Sequence, residues 1–368
     1  MTKTSDHIAR MLVLLALLLG IPLAAAAAQS SPQLQSGQCA EKLADDYLCG
    51  PSNSEELLHL EGTPWIFASQ YIAPFLKKGV ITLINQTTRE WAELDVSGSA
   101  GSIDRKRFPG CQKPLTAAGF RGHGMTFGPV QGGKALLYAI NHGEREAVEV
   151  FEVSARGDAM PGFRWVGCIP SPDGDSLNTL TVLPDGTLVG TKFYEVQNKD
   201  WPADMMSKRI TGQVFQWQLA TGWNRVPKTF MSGPNGVVSA DGGQSLIVAE
   251  WGASRLHKLR RDGTGKAQTV EVQGYPDNIH PTPDGRFLVV AQTGDLRPAF
   301  ACVGTDSRIC GGAYDIVSID PATMATQIVY SAKDPDPKVF GFATSALDLG
   351  KEIWVGSVRG NKILILKK

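Results

Sequence analysis

The chain has no excess of charge of either sign, because its 36 lysines and arginines are balanced by 36 aspartates and glutamates. Without a basic field the sequence predicts no nucleic-acid partner. It contains neither a GxSxG nucleophile elbow nor a phosphate-binding P-loop, the signals of two large enzyme classes. It has no CxxC pair or Cys/His cluster at ligand spacing, which disfavours a zinc site.

Long apolar runs are also scarce, and the single long one stands at the N-terminus. Lys3 and Arg10 accompany an apolar region over residues 11–24, and small residues end at Ala28. This order predicts a signal peptide over residues 1–28 that is cleaved, and hence a secreted or periplasmic protein. A retained segment would instead attach the protein to a membrane, although the run is short for a full span.

Six cysteines follow this segment, an even number that indicates disulfides in an exported protein. They are Cys39, Cys49, Cys111, Cys168, Cys302 and Cys310. The two close pairs, 39 with 49 and 302 with 310, would each staple a loop, which leaves the other two to pair. Other connectivities remain open on sequence alone.

One sequence phrase recurs six times. It consists of a polar residue, a short apolar strand, a turn rich in Gly, Pro and Asp, and a second strand ending in Val-Ala or Val-Gly. The polar residues that precede the six copies are Glu61, His123, Asn178, Asn235, Asn278 and Ser345. With 40 glycines, 22 prolines and little helical periodicity, the repeat predicts an all-β fold, a six-bladed β-propeller with a central metal site.

The domain boundaries follow from this repeat. We expect a linker and a disulfide-stapled cap over residues 29–55 and the propeller over residues 56–368. The strand at 362–368 should close the ring beside a strand from the N-terminal part of the chain.

Equivalent positions in a propeller face one another around its axis, so these polar side chains should converge. A hard cation such as Ca²⁺ takes about six to eight oxygen ligands. The oxygen-bearing candidates for metal ligands are Glu61, Asn178, Asn235, Asp277 and Asn278. For any one of them alone, ordinary turn chemistry is the favoured interpretation, and only the shared phase of the repeat favours the metal site.

Two histidines form a second candidate group. His123 and His142 lie on neighbouring predicted strands of one blade, within possible hydrogen-bonding distance. One could act as a general base toward water while the other orients it. The alternative is a packed or surface pair. The segment 193–211 interrupts the repeat with aromatics and methionines, and it predicts either a binding lid or a solvated insertion.

At these motifs the chain resembles the calcium-dependent paraoxonase/arylesterase family, within the gluconolactonase-like six-bladed propellers. The similar segments, from Glu61 onward, are HGMTF, INHGE, LNTL, PNGV, YPDNI, LVGTKFYE, VAEWGASRLHKL and WVGSVRGNKILIL. The resemblance implies one catalytic calcium on the five candidate ligands and a histidine dyad. Gly62 and Thr179 stand where the family has acidic residues for a second, structural calcium, which leaves that ion in doubt.

Together these features predict an exported, metal-dependent carboxylic-ester hydrolase, a lactonase or arylesterase acting on a small-molecule lactone or on aryl or alkyl esters. His123, assisted by His142, would activate water. Asp277 could instead serve as base or nucleophile. The alternatives are a metal-dependent isomerase, lyase or synthase on the same propeller, or a non-catalytic ligand-binding propeller. The oligomeric state is open.

Overall fold

Six antiparallel sheets contain all strands of the described chain. The computed structural model describes residues 32–71, 76, 78–333 and 335–368. The predicted signal peptide lies outside these residues. Residues 34–368 form one compact unit. In the described part, no helix has the length and hydropathy needed to cross a membrane.

Blades 2 and 3 pair their strands in sequence order, and blade 1 does so with one extra short strand beside its last strand. Blade 1 consists of β1 (Gln35–Ser36), β3 (Ser54–His59), β4 (Trp65–Gln70), β5 (Ile81–Asn85) and β6 (Glu90–Leu94). The strand between β1 and β3 in the chain, β2 (Asp46–Cys49), belongs to blade 6. Blade 2 consists of β7 (Gly122–Phe127), β8 (Lys134–His142), β9 (Glu146–Arg156) and β10 (Ala159–Pro170). Blade 3 consists of β11 (Leu177–Val182), β12 (Leu188–Lys192), β13 (Gln213–Gln218) and β14 (Gly222–Arg225).

Blades 4 and 5 also pair their strands in sequence order, whereas the outermost strand of blade 6 comes from the N-terminal part of the chain. Blade 4 consists of β15 (Pro234–Ala240), β16 (Ser245–Glu250), β17 (Arg255–Arg260) and β18 (Gln268–Glu271). Blade 5 consists of β19 (Tyr275–Pro281), β20 (Phe287–Gln292), β21 (Tyr314–Ile319) and β22 (Thr326–Ala332). Blade 6 consists of β23 (Ala343–Asp348), β24 (Glu352–Ser357), β25 (Lys362–Lys367) and β2. Two short helices, α1 (Trp201–Met206) and α2 (Arg297–Val303), lie between strands of blades 3 and 5.

The turns between the first two strands follow local sequence signals. In blades 3 and 5 a Pro-Asp-Gly segment connects them, and Gly186 and Gly285 have φ angles of 83° and 80°. Only glycine adopts such angles without strain, so these residues end one strand and start the next.

An N-terminal strand closes the ring. β2 pairs with β25, with Tyr47 opposite Leu364, and the innermost strands β3, β7, β11, β15, β19 and β23 contact one another in a closed circle. The predicted closing role of the last strand is confirmed. The predicted cap over residues 29–55, however, supplies β1, β2 and the start of β3, so the propeller begins before residue 56.

Apolar side chains fill the spaces between neighbouring sheets. Between blades 1 and 2, for example, the fully buried Phe67 packs against Phe163 with ring centroids 6.3 Å apart. Burying a side chain of this size stabilises the fold by about 1.5–3 kcal/mol. Because each blade packs on two neighbours, the inner strands are held rigidly around the axis.

The three disulfides are those that the cysteine spacing favours. Cys39 pairs with Cys49, Cys111 with Cys168, and Cys302 with Cys310. None of the cysteines in the described chain is free. The third disulfide joins Cys302, near the end of α2, to Cys310 and so ties the loop after that helix.

Candidate functional site

A β-bulge interrupts the innermost strand pair of every blade at the same place. The register between the first and second strands shifts at Glu55, at 123–124, at 178–179, at 235–236, at 277–278 and at Thr344. A bulge turns a side chain out of the regular alternation and toward a new direction. Six bulges at one level therefore aim six side chains at a common space.

That space is a cavity of about 750 Å³ at the end of the propeller axis. Every innermost strand contributes to its lining, and the lining residues at the six bulges are Glu55, His123, Asn178, Asn235, Asp277 and Thr344. The structure thus brings together residues separated by up to 289 positions, the separation of Glu55 and Thr344. The convergence expected from the repeat is present, with three of its positions changed.

The carboxylate expected from blade 1 is not Glu61. Glu61 is exposed in the turn between β3 and β4, at the far end of the strand from the cavity. The buried Glu55 takes its place, at the start of β3. The sequence contains a pattern that indicates this position. Glu55 and Glu56 precede Leu57 just as two polar residues precede the apolar part of β19.

Two further positions differ by one residue. In blade 6 Thr344 lines the cavity and Ser345 does not, and in blade 5 Asp277 lines it and Asn278 does not. Asn278 is fully buried, and its Nδ2 donates to Oε1 of Glu55 at 2.8 Å. The structure therefore places Asn278 behind Glu55, where it orients the carboxylate.

Two glycines allow the inner strands to approach at this level. A side chain at Gly124 would bring its Cβ within 2.3 Å of the carbonyl oxygen of Asn178, and one at Gly236 within 2.4 Å of that of Asp277. Any larger residue would push the neighbouring blade away. The glycine after His123 and the one after Asn235 thus keep the ring of side chains narrow.

Both carboxylates of the ring have raised pKa values. Burial, with the nearby charges of Glu56 and Asp277, raises the pKa of Glu55 well above its usual range. Burial likewise raises the pKa of Asp277 to about 7, although Gln292 and Asn235 donate hydrogen bonds to it. A raised pKa means that the ionised form of each carboxyl group is costly here, and a nearby positive charge would offset that cost.

Two oxygens of the ring also lack partners. Oε2 of Glu55 and Oδ1 of Asn235 are buried, and no group of the described chain hydrogen-bonds to them. A buried unpaired oxygen costs about 1–3 kcal/mol. With Asp277 and Asn178 beside them, these oxygens fit a hard cation such as Ca²⁺, which binds carboxylate and amide oxygens together.

The donor set itself argues against softer metals. Within the described ranges, no three His, Cys, Asp or Glu side chains are grouped so that they could hold a metal ion. The ring offers two carboxylates, Glu55 and Asp277, and its other oxygens belong to neutral amides and a threonine. Zinc prefers nitrogen and sulfur ligands, whereas this oxygen-rich set suits calcium.

A hydrogen bond from Gln292 also holds the Asp277 carboxylate in place. Nε2 of Gln292 donates to the Asp277 carboxylate and to the carbonyl oxygen of Ala343. The Gln292 oxygen in turn accepts a hydrogen bond from Nε1 of Trp251 at 2.8 Å. Since Trp251 lines the cavity, this network fixes the carboxylate relative to the apolar wall.

The neighbouring carboxylate, Glu56, has a different partner. Its Oε1 lies 2.7 Å from Nε2 of His280, and both side chains are buried. The acidic residue after the inward-facing glutamate is thus present in this chain as Glu56, and Gly62 does not occupy that position. Thr179 stands between Oδ1 of Asn178 and Oδ1 of Asn278, at 3.0 and 2.9 Å from its hydroxyl.

The two candidate histidines are in contact. Nδ1 of His123 lies 3.0 Å from Nε2 of His142, as their strands predict. Nε2 of His123 is 3.4 Å from Nδ2 of Asn178 and 3.9 Å from Oε1 of Glu55. Burial, with the neighbouring His142, lowers the pKa of His123 well below its usual value. His123 is therefore neutral at neutral pH and able to accept a proton.

The opposite side of the cavity is apolar. Its main lining residues are Phe193, Tyr194, Trp201, Met206, Trp251, Phe300 and Phe342. The rings of Tyr194 and Trp201 stack with centroids 4.6 Å apart. The segment 193–211, with helix α1, thus covers the cavity as the predicted lid would, and α2 contributes Phe300 from the other side.

Comparison with known proteins shows a partial likeness. No family model matches the sequence. A stretch of 131 residues is 27% identical to the adipocyte plasma membrane-associated protein of Rattus norvegicus, covering 34% of this chain and 35% of that protein. The protein of the same name from Mus musculus is 28% identical over 131 residues, covering 34% of this chain and 32% of its own length. The chain thus spans about a third of these relatives.

Solved structures share the fold over most of the chain. The luciferin-regenerating enzyme superposes with a TM-score of 0.51 at 13% identity, covering 91% of this chain and 95% of that one. A structure described as a putative gluconolactonase has a TM-score of 0.44 at 14% identity, covering 91% of this chain and 97% of that one. At such identity, the first likeness shows the six-bladed propeller and nothing of the reaction.

Proposed function

We propose that this protein is an exported, calcium-dependent hydrolase that opens lactones or cleaves aryl or alkyl esters. The proposal rests mainly on one observation. Two buried carboxylates and an unpartnered amide oxygen meet at the propeller axis, beside a neutral histidine at the edge of an apolar cavity. The resemblance of the histidine and asparagine motifs to the paraoxonase/arylesterase family supports this choice of substrate.

The cation would be held by Glu55, Asn178, Asn235 and Asp277. When bound, a hard dication supplies positive charge that polarises a carbonyl group and offsets the charge of an oxyanion. Two carboxylates balance its charge, and Asn278 and Gln292 hold those carboxylates in place. We assign Asp277 to the cation because its hydrogen bonds and its position beside Glu55 leave the histidine pair as the better base.

His123 would act as the general base. Its Nε2 takes a proton from water as the water oxygen bonds to the carbonyl carbon of the substrate. The tetrahedral intermediate then breaks its bond to the ester oxygen, and the proton passes from His123 to that oxygen, which leaves as an alcohol or phenol. General base catalysis of this kind contributes about 10²–10⁴-fold to the rate.

The apolar wall would hold the rest of the substrate. Aromatic side chains such as Trp201 and Phe300 suit an aryl leaving group or the carbon skeleton of a lactone. The six paired cysteines agree with an exported protein, where disulfides persist. The proposed partner is therefore a small molecule outside the cytoplasm.

Metal analysis of the purified protein, paired with a panel of lactones and aryl esters, tests this function. We expect about one calcium per chain, loss of turnover in EDTA and its return with Ca²⁺. Asp277→Ala should abolish turnover and weaken calcium binding. Asp348→Ala is the control and should leave the calcium content unchanged, because Asp348 is a buried carboxylate of blade 6 that pairs with Lys368. Full turnover in EDTA would reject the metal mechanism.

Two other results would redirect the assignment. Bound calcium without turnover on any ester or lactone would indicate a ligand-binding propeller. Full activity of His123→Gln on the best substrate would indicate another reaction, such as isomerisation or elimination, on the same frame.

A further inference from the structure

Glu146 extends the histidine pair to a third residue. β8 and β9 form a hairpin in which His142 and Glu146 stand directly opposite each other. Oε2 of Glu146 lies 2.7 Å from Nδ1 of His142. The three side chains therefore form a continuous chain from the hairpin end of blade 2 to the ring at the axis.

The hairpin that carries Glu146 is rigid. Oδ1 of Asn141 accepts hydrogen bonds from the backbone nitrogens of Arg121 and Gly143, at 2.8 Å each. Arg145 donates twice to the buried Glu149, at 2.8 Å for each bond. The position of Glu146 relative to His142 is thus set by the blade rather than by a mobile loop.

The chemistry of a carboxylate decides where the protons lie. An ionised carboxylate can only accept hydrogen bonds, so Nδ1 of His142 must carry its proton and donate it to Glu146. When His142 carries this one proton only, its Nε2 accepts a hydrogen bond from the Nδ1–H group of His123. This leaves Nε2 of His123 without a proton, facing the donor Nδ2 of Asn178 at 3.4 Å.

We propose that Glu146 is a positioning residue that fixes both histidines as Nδ1–H tautomers and so presents the unprotonated Nε2 of His123 to the cavity. The hydroxyl of Ser176, 3.1 Å from Nδ1 of His142, can accept the same proton or donate in its place. Ser176 alone would therefore allow either tautomer, and only the carboxylate excludes one of them.

The role in hydrolysis rests on the proposed function, but the tautomers do not. As the proton moves from water to Nε2 of His123, the pair gains a positive charge, and the carboxylate of Glu146 stabilises it through His142. Without Glu146 the pair can reverse its hydrogen bonds, and Nε2 of His123 can become a donor that no longer accepts a proton.

Nitrogen-15 NMR of protein labelled at histidine tests the tautomers without any substrate. We expect His123 and His142, assigned from His123→Gln and His142→Gln spectra, to be Nδ1–H in the wild type. Glu146→Gln should shift at least one of them to Nε2–H, since an amide can donate as well as accept. A wild-type spectrum with His142 as the Nε2–H form would overturn the proposal, whether or not Glu146→Gln folds.

Kinetics test the consequence on whichever ester or lactone is turned over. Glu146→Gln should lower kcat by about 10–100-fold, with KM changed by less than about threefold, and Glu146→Asp should recover part of the loss. Glu144→Gln is the matched control, because Glu144 is exposed in the same hairpin and bonds to Thr116 instead. Full activity of Glu146→Gln in a working hydrolase would refute the positioning role.

The two proposals fail in different ways. A protein that hydrolyses nothing but shows both Nδ1–H tautomers refutes the hydrolase and supports the role of Glu146. A calcium-dependent hydrolase whose tautomers ignore Glu146→Gln supports the function and refutes the positioning residue.

Discussion

Removing the charge of Asp277 should make the metal-free protein more stable at neutral pH, although it removes part of the proposed metal centre. Burial raises the pKa of Asp277 from 3.8 to about 7, so between these values the folded protein binds a proton that the unfolded chain has released. Asp277 therefore lowers the stability progressively as the pH rises from about 4 to about 7, and the full cost remains above that. Three pKa units correspond to about 4 kcal/mol.

The assay is urea unfolding in EDTA, followed by tryptophan fluorescence, for the wild type and Asp277→Asn. The lowered pKa of His123 acts in the opposite sense, adding stability as the pH rises through about 6.5, so the variant is compared with the wild type at each pH. We expect the variant to gain up to about 4 kcal/mol at pH 8, and about 2 kcal/mol less at pH 5.5.

Calcium should reverse this order. Ca²⁺ should stabilise the wild type at pH 8 and leave the stability of Asp277→Asn unchanged, because the ion supplies the positive charge that offsets the buried carboxylates. Asp348→Asn is the control: its buried carboxylate faces Lys368, so its loss should destabilise the protein with or without the ion. An Asp277→Asn protein less stable than the wild type in EDTA at pH 8 would refute the reasoning.

Three other predictions concern the cavity. Glu55→Gln should weaken calcium binding by about tenfold or more, while Glu61→Gln leaves it unchanged in the same titration, because only Glu55 faces the axis; equal effects would contradict the corrected ligand. His123→Gln should lower kcat by about 10²–10⁴-fold at normal calcium affinity, and a parallel loss of affinity would make it a ligand instead. Trp201→Ala should raise KM for aryl esters by about tenfold and less for a small lactone, which a KM change common to both substrates would disprove.

The inward-facing residues of three blades could be recognised from sequence, and the reason is local. After His123, Asn178 and Asn235 come one small residue, either glycine or threonine, and then the apolar part of the strand. The hairpin turn comes later in each copy. Blade 1 departs from this pattern, because its first strand contains the carboxyl group of Glu55 and the turn after that strand contains Glu61. The sequence pattern therefore points to Glu61 in the turn, although Glu55 is the residue at the start of the innermost strand.

Adjacent polar residues posed a different problem. Asp277 and Asn278 precede the same strand, and in regular alternation they would face opposite sides. A bulge lies at this point in every blade, and its direction depends on the pairing with the second strand. Hence the sequence could not decide whether Asp277 or Asn278, or Thr344 or Ser345, lines the cavity.

The sequence alone determined the six-fold repeat, the closing strand and the presence of oxygen-bearing residues near one end of each blade, since all of these depend on local turns and on the spacing of apolar residues. It favoured the three cysteine pairs but left other pairings open. The tertiary structure decided which oxygens share a cavity, that Glu55 and not Glu61 completes the ring, and that Glu146 meets His142. Those outcomes depend on bulges and on packing between blades, where a shift of one residue exchanges a buried side chain for its neighbour.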